Sequence, residues 1–150
     1  MLKFKNILVP TDFSKESRAA FDYARELAKN SDDARVHFLH VIELTTYPIN
    51  IGLSQSAMEE LRQRHIDDAN KKLREYIKDF EKDDIICDSV VLQGKSDEAI
   101  LKYTKDHRVD VICIGTHGRS GFEHLMIGST TEKVIRKADC PVLAIKLSKK

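Results

Sequence analysis

Three glycines with a serine and a threonine have the spacing of a phosphate-binding loop. Two residues separate Gly115 from Gly118, and nine more lead to the run Gly128–Thr130. Glycine has no Cβ, so its backbone can turn sharply and approach a ligand closely. Ser129 and Glu132 have the spacing of a capping box, which predicts that a helix starts at Ser129. Because a helix N-terminus presents unpaired N–H groups and the positive end of its dipole, this pattern favours phosphate binding.

Other phosphate-binding motifs and metal motifs are absent from the sequence. It contains no G-x-x-x-x-G-K-[ST] pattern, and therefore no P-loop lysine. No G-x-G-x-x-G follows a predicted strand, which weakens a dinucleotide-binding interpretation. The six histidines show no metal-ligand spacing, and no carboxylate pair is spaced for two metal ions. We therefore predict no metal site of the chain's own.

Strands and helices alternate along the chain. Short apolar runs predict strands, and apolar residues recurring every three or four positions predict helices. The predicted strands are 5–9, 35–41, 85–92, 109–114 and 141–145, and the predicted helices are 14–29, 56–81, 96–106 and 129–137. Ser56 and Glu59 predict the N-terminal cap of the second helix, and a loop is predicted over Glu43 to Ser54. This alternation predicts an α/β fold, a parallel sheet with helices on both faces, in one domain spanning 1–150.

Composition narrows the classes of function. The chain has 150 residues, 33% of them charged, with a formal net charge of +1, which does not suggest a nucleic-acid-binding surface. No apolar segment approaches the roughly 20 residues that a membrane span needs, and no export signal is recognisable at the start. The chain has three cysteines, Cys87, Cys113 and Cys140, and this odd number includes no C-x-x-C pair. We therefore expect free thiols in a reducing cytoplasm.

The glycine spacing and both ends of the chain resemble one known family. Gly115-x2-Gly118-x9-Gly128-Ser129 resembles the ATP-binding signature of the universal stress proteins. The segments 7–14, 40–42 and 138–143 resemble that family's first, second and last strands, so the resemblance covers about residues 5 to 146. It implies an open sheet of five parallel strands in the order 3-2-1-4-5. That order reverses between strands 1 and 4, where ligands of open α/β sheets bind beyond the strand ends.

The resemblance also implies a set of residues that hold ATP, ADP or AMP. In this sequence the set is Pro10, Thr11, Asp12, Val41, Gly115, Thr116, His117, Gly118, Arg119, Gly128, Ser129 and Thr130. The glycines, Arg119, Ser129 and Thr130 would hold the phosphates, and Val41 would meet adenine through its backbone. Asp12 would contact the ribose or the base; its alternative role is to cap the first helix, which Ser14 could do equally well. The nucleotide could bring one Mg²⁺ with it.

The expected role is a nucleotide-binding module that acts as a switch in stress response or signalling. One alternative is a slow ATPase or an autophosphorylating enzyme with Ser120 or Ser129 as acceptor, although we identify no catalytic residues. Another is an interaction module that binds a protein partner independently of nucleotide. The predicted last strand, Pro141–Ile145, is short and apolar and would lie at the sheet edge, where an unpaired strand is a template for another chain. The family also dimerises through this strand, so we expect a homodimer. The alternative is that a helix or the C-terminal tail covers this edge.

Overall fold

The computed structural model describes residues 2–43, 52–117 and 127–147. Gly118, Arg119 and Ser120, and residues 44–51 of the predicted loop, lie outside the described residues. The elements are β1 (Asn6–Pro10), α1 (Lys15–Arg18), α2 (Phe21–Lys29), β2 (Arg35–Ile42), α3 (Gln55–Glu81), β3 (Ile86–Gln93), α4 (Ser96–Asp106), β4 (Val111–Gly115), α5 (Ser129–Lys137) and β5 (Val142–Ile145). Each predicted element is present, and most bounds differ by one or two residues.

The five strands form one parallel sheet in the order β3-β2-β1-β4-β5, which confirms the expected topology. The central strand β1 pairs with β2 through Asn6–Pro10 and with β4 through Ile7 and Leu8. Strands β3 and β5 form the two edges. From β1 the chain adds β2 and β3 on one side, and it then returns to add β4 and β5 on the other side of β1. The connections therefore leave β1 and β4 in opposite directions, which opens a crevice at the carboxyl ends of these two strands.

Two apolar layers cover the sheet, and the alternation of side chains along each strand assigns residues to them. On one face, Val9 and Phe38 pack with Phe80 of α3 and with the alanines of α2. On the other face, Leu8 and Ile112 pack with α4 and α5. Because β1 and β4 are covered on both faces, all five residues of β4 are buried.

Two helix starts differ from the prediction. The helix predicted over 14–29 is divided into α1 and α2, because the N–H groups of Ala19 and Ala20 bond three residues back, to Glu16 and Ser17. The cap of α3 is Ser54 rather than Ser56. Ser54 has extended backbone, and its hydroxyl accepts the Ala57 N–H at 3.2 Å, so the helix begins one residue earlier than predicted. None of the helices among the described residues is both long and apolar enough to cross a membrane.

Candidate functional site

A cleft of about 230 Å³ opens at the carboxyl edge of the sheet, at the divergence of β1 and β4. It is bounded by the ends of β1, β2 and β4 and by the first turns of α4 and α5. Its lining residues are Pro10, Thr11, Asp12, Ser17, Leu39, Val41, Ser96, Ile100, Ile114, Gly115, His117, Gly128, Ser129, Thr130 and Thr131.

Nine of the residues expected to bind nucleotide line this one cleft. They are Pro10, Thr11, Asp12, Val41, Gly115, His117, Gly128, Ser129 and Thr130. Thr116 stands behind them, with its N–H donating to the Ile145 carbonyl at 2.9 Å and its hydroxyl 2.9 Å from His117 Nδ1. Gly118 and Arg119 fall outside the described residues. Ser17, Ser96 and Thr131 also line the cleft but were not predicted from the sequence, because their polar side chains belong to helix starts and carry no motif of their own.

The turn after β1 fixes the position of Asp12. Asp12 Oδ1 accepts the Ser14 N–H at 2.9 Å, and Ser14 Oγ accepts the Ser17 N–H at 3.1 Å. Ser14 is therefore the side-chain cap of α1, as the alternative interpretation allowed. Asp12 instead closes a tight side-chain turn one step earlier, and it is one of the residues that line the cleft.

Gly115 is required by packing within the protein. A Cβ at this position would lie 2.5 Å from the carbonyl oxygen of Glu16, inside van der Waals contact with the backbone of α1. The end of β4 and α1 therefore approach each other as closely as they do only because Gly115 has no side chain.

Gly128 has a different environment. Its N–H donates to the Thr116 carbonyl at 2.7 Å, and a Cβ would meet that same oxygen at 3.4 Å, which is ordinary contact. Its φ of −58° is open to any residue. The protein itself would thus tolerate a methyl group at Gly128, and the space saved belongs to the cleft that this glycine lines.

The N-terminus of α5 opens into the cleft, and Ser129 is not its cap. The N-cap is Gly128, which has no side chain to hydrogen-bond the first turn, and Ser129 is the first helical residue. The predicted capping box is therefore wrong: Glu132 N–H bonds the Gly128 carbonyl at 2.9 Å, as the first bond of the helix. Because glycine provides no capping oxygen, the residue at the N-cap does not satisfy the N–H groups of this first turn. These N–H groups and the positive end of the helix dipole are therefore available to a ligand in the cleft.

The backbone of Val41 points past the end of β1. Thr11 N–H donates to the Leu39 carbonyl at 2.8 Å, and Gly94 N–H donates to the Ile42 carbonyl at 3.1 Å. Peptide groups of a strand face its two neighbours alternately, so Val41 faces the same side as Leu39, towards β1. The last paired residue of β1 is Pro10. The N–H and C=O of Val41 therefore face the cleft.

The histidines of β2 have partners within the protein. His37 is buried, with Nδ1 3.0 Å from the Tyr103 hydroxyl, and burial lowers its pKa. Nδ1 of His40 lies 2.8 Å from the Thr11 carbonyl. Burial raises the pKa of the Cys87 and Cys113 thiols to about 12, so neither thiol is a nucleophile at neutral pH. In the described part of the chain no group of three or more His, Cys, Asp or Glu residues could hold a metal ion.

The family model described as the universal stress protein family matches residues 3–146. The chain belongs to the universal stress protein family. Universal stress protein MJ0577 of Methanocaldococcus jannaschii is 30% identical over 155 residues, which cover 95% of each chain. Universal stress protein MJ0531 of the same organism is also 30% identical, over 98% of this chain and 85% of the relative.

Solved structures share the fold. The structure of MJ0577 has a TM-score of 0.87 at 29% identity and covers 99% of this chain and 100% of its own. A universal stress protein of Arabidopsis thaliana, solved with AMP bound, has a TM-score of 0.66 at 19% identity, with 96% of this chain and 92% of its own covered. At that identity the likeness of the Arabidopsis protein shows the fold alone.

Proposed function

We propose that the cleft binds an adenine nucleotide, with ATP as the principal ligand. The observation that carries this proposal is the first turn of α5, which opens into the cleft behind a glycine N-cap. Its N–H groups can hold a phosphate through the main chain. The glycine spacing of the family's ATP-binding signature ends at this same turn. The AMP named for the Arabidopsis relative is consistent with an adenine nucleotide in this fold.

The two ends of the cleft differ in chemistry and give the ligand a direction. Phosphates lie at Gly128, Ser129 and Thr130, where main-chain N–H groups and two hydroxyls are available. The family's signature implies that Gly118 and Arg119, which lie outside the described residues, also bind phosphate. The adenosine part lies towards β2, where Leu39 and Ile100 provide apolar walls and Val41 provides a main-chain donor and acceptor. Asp12 accepts hydrogen bonds from the ribose hydroxyls. Any Mg²⁺ arrives with the phosphates.

The biological role that fits such a site is a nucleotide-responsive switch in a stress or signalling response. The chain works as a homodimer in the cytoplasm, a compartment that suits its three cysteines, all of them free thiols. The dimer forms through β5, because this four-residue edge strand carries Leu143 with 36% of its surface exposed beside a backbone edge that no other strand of the described ranges pairs. A two-fold axis along that edge would pair both copies of β5.

Calorimetric titration with ATP, ADP and AMP tests the binding proposal, with Gly128→Ala as the matched variant. The methyl group fits against the protein but takes space from the phosphate end, so we expect saturable binding by the wild-type chain and affinity at least about tenfold lower for the variant. Absence of binding of all three nucleotides to the folded wild-type chain would refute the proposal. Equal affinities of the two proteins for nucleotide would show that the phosphates do not bind at this end of the cleft.

A further inference from the structure

The hydrogen-bond ladder between β1 and β2 ends although β2 continues and the chain after β1 could pair with it further. The last pair is Pro10 with Leu39, and Thr11 N–H still donates to the Leu39 carbonyl at 2.8 Å. In a continuing parallel ladder the next hydrogen bond would run from the Val41 N–H to the Thr11 carbonyl. That bond would consume the main-chain donor that faces the cleft.

The side chain of His40 takes the Thr11 carbonyl instead. Its Nδ1 lies 2.8 Å from that oxygen, and because a carbonyl only accepts, Nδ1 carries the proton and donates it. His40 is the residue of β2 that would otherwise pair with Thr11, since the register advances by one on each strand. A side chain thus occupies the acceptor on which the ladder would have continued.

Phe13 marks a sharp turn of the chain directly after the end of β1. Its φ is +66°, a left-handed conformation that a bulky residue adopts only where its surroundings impose it. The Phe13 N–H bonds the Thr11 hydroxyl at 3.0 Å, and its ring lies 4.3 Å from the ring of His40, centroid to centroid. On the same ring the ammonium group of Lys72 lies 5.0 Å from the centroid. The contacts of Phe13 and His40 therefore stabilise a single turn.

We infer that His40 is a positioning residue that keeps the main chain of Val41 available to the base of the ligand. By binding the Thr11 carbonyl it prevents the ladder from closing, so the Val41 N–H and C=O remain directed at the cleft. Together they form a donor and an acceptor that match N1 and the 6-amino group of adenine. The role rests on the proposed function, because it concerns the base end of the same nucleotide site.

A thermodynamic cycle separates this role from simple packing. The ligands are ATP and purine riboside 5′-triphosphate, which lacks the 6-amino group. His40→Phe keeps an aromatic ring against Phe13 but loses the donor, whereas His40→Asn keeps an amide donor near the position of Nδ1 and loses the ring. We expect wild type and His40→Asn to prefer ATP by about tenfold and His40→Phe to bind the two ligands equally. A preference for ATP in His40→Phe as large as in wild type would overturn the inference.

Amide hydrogen exchange gives a second measurement, which needs no nucleotide. It compares wild type with two variants that lack the donor, His40→Phe and His40→Leu. Once the Thr11 carbonyl is released it can accept the Val41 N–H, so we expect this amide to exchange more slowly in the variants than in wild type. Unchanged exchange at Val41 in both variants would also overturn the inference. If the wild-type chain binds neither triphosphate, the proposed function fails and this role fails with it. If it binds ATP and the variants discriminate as it does, only the role of His40 fails.

Discussion

The hydroxyl of Thr131 donates to the carbonyl of Gly115 at 2.9 Å and joins the first turn of α5 to the end of β4. Both residues are buried, and 16 positions separate them in the chain. The bond holds the phosphate end of the cleft against the strand that forms its floor, so the direction of the α5 N-terminus depends on a side chain outside the glycine motif.

Replacing Thr131 by valine should therefore affect both stability and binding. The substitution leaves the shape almost unchanged but removes the partner of a buried carbonyl, which should lower the free energy of unfolding by about 1–3 kcal/mol. We also expect weaker ATP binding, because α5 is no longer held at the cleft. Urea unfolding and calorimetry measure the two effects.

Thr104→Val is the matched control for Thr131→Val. Thr104 is equally buried, but its hydroxyl donates to the Ile100 carbonyl at 2.8 Å within α4. Its loss should reduce stability without changing the affinity for ATP. Equal losses of affinity in the two variants would show that the bond to Gly115 has no particular role in binding.

Ser129→Ala tests the assignment of Gly128 as the cap of α5. Because Ser129 makes no side-chain cap, its loss should change the free energy of unfolding by less than about 0.5 kcal/mol while it weakens nucleotide binding. Ser54→Ala is the comparison, since Ser54 caps α3 and its loss should cost about 1 kcal/mol with no change in binding. Loss of stability in Ser129→Ala as large as in Ser54→Ala would contradict the assignment.

Hydrophobic periodicity predicted the elements of this fold well, because long buried runs such as β2 and β4 permit few other structures. Most of the cleft was predictable too, since the glycine spacing and the strand ends fall on the same edge of the sheet. The cap of α5 was not predicted correctly. Ser129 and Glu132 have the spacing of a capping box, but the same spacing also occurs when the helix is capped by the preceding glycine and Ser129 is its first residue. Contacts between distant segments, such as Gly115 with Glu16 and Thr131 with Gly115, leave no local signal in the sequence.

The buried imidazole of His37 should make stability dependent on pH. Burial is the main cause of its lowered pKa, with His107 and Arg35 acting in the same direction and Asp88 opposing them. The unfolded chain then binds a proton near the ordinary pKa of 6.5, whereas the folded chain does so only at lower pH. We expect His37 to leave stability unchanged above pH 6.5 and to lower it as the pH falls below that value.

His37→Asn removes this titration and should flatten the pH dependence of the free energy of unfolding below pH 6.5. Urea unfolding of both proteins at several pH values provides the measurement. A slope in the variant as steep as in wild type would assign the acid sensitivity to other groups.

Leu143→Lys should weaken the proposed homodimer. The lysine would place a charge on β5 of both copies, and like charges on two paired edge strands repel. Ile86→Lys is the matched control, because Ile86 is an exposed apolar residue on the opposite edge strand, β3. Sedimentation velocity should show a dimer for wild type and Ile86→Lys and a monomer for Leu143→Lys; a dimer in all three would exclude β5 as the interface.

We expect an adenine nucleotide to bind at the ends of β1, β2 and β4, beside the first turn of α5. An amide-resolved NMR titration with ATP reports both binding and its location in one experiment. We predict saturable shifts at Val41, Thr116, Ser129 and Thr130, with Lys29 and Asp106, at the C-terminal ends of α2 and α4, unchanged. Saturating shifts confined to residues outside the cleft, or no shifts at millimolar ATP, would show that the cleft is not an adenine-nucleotide site.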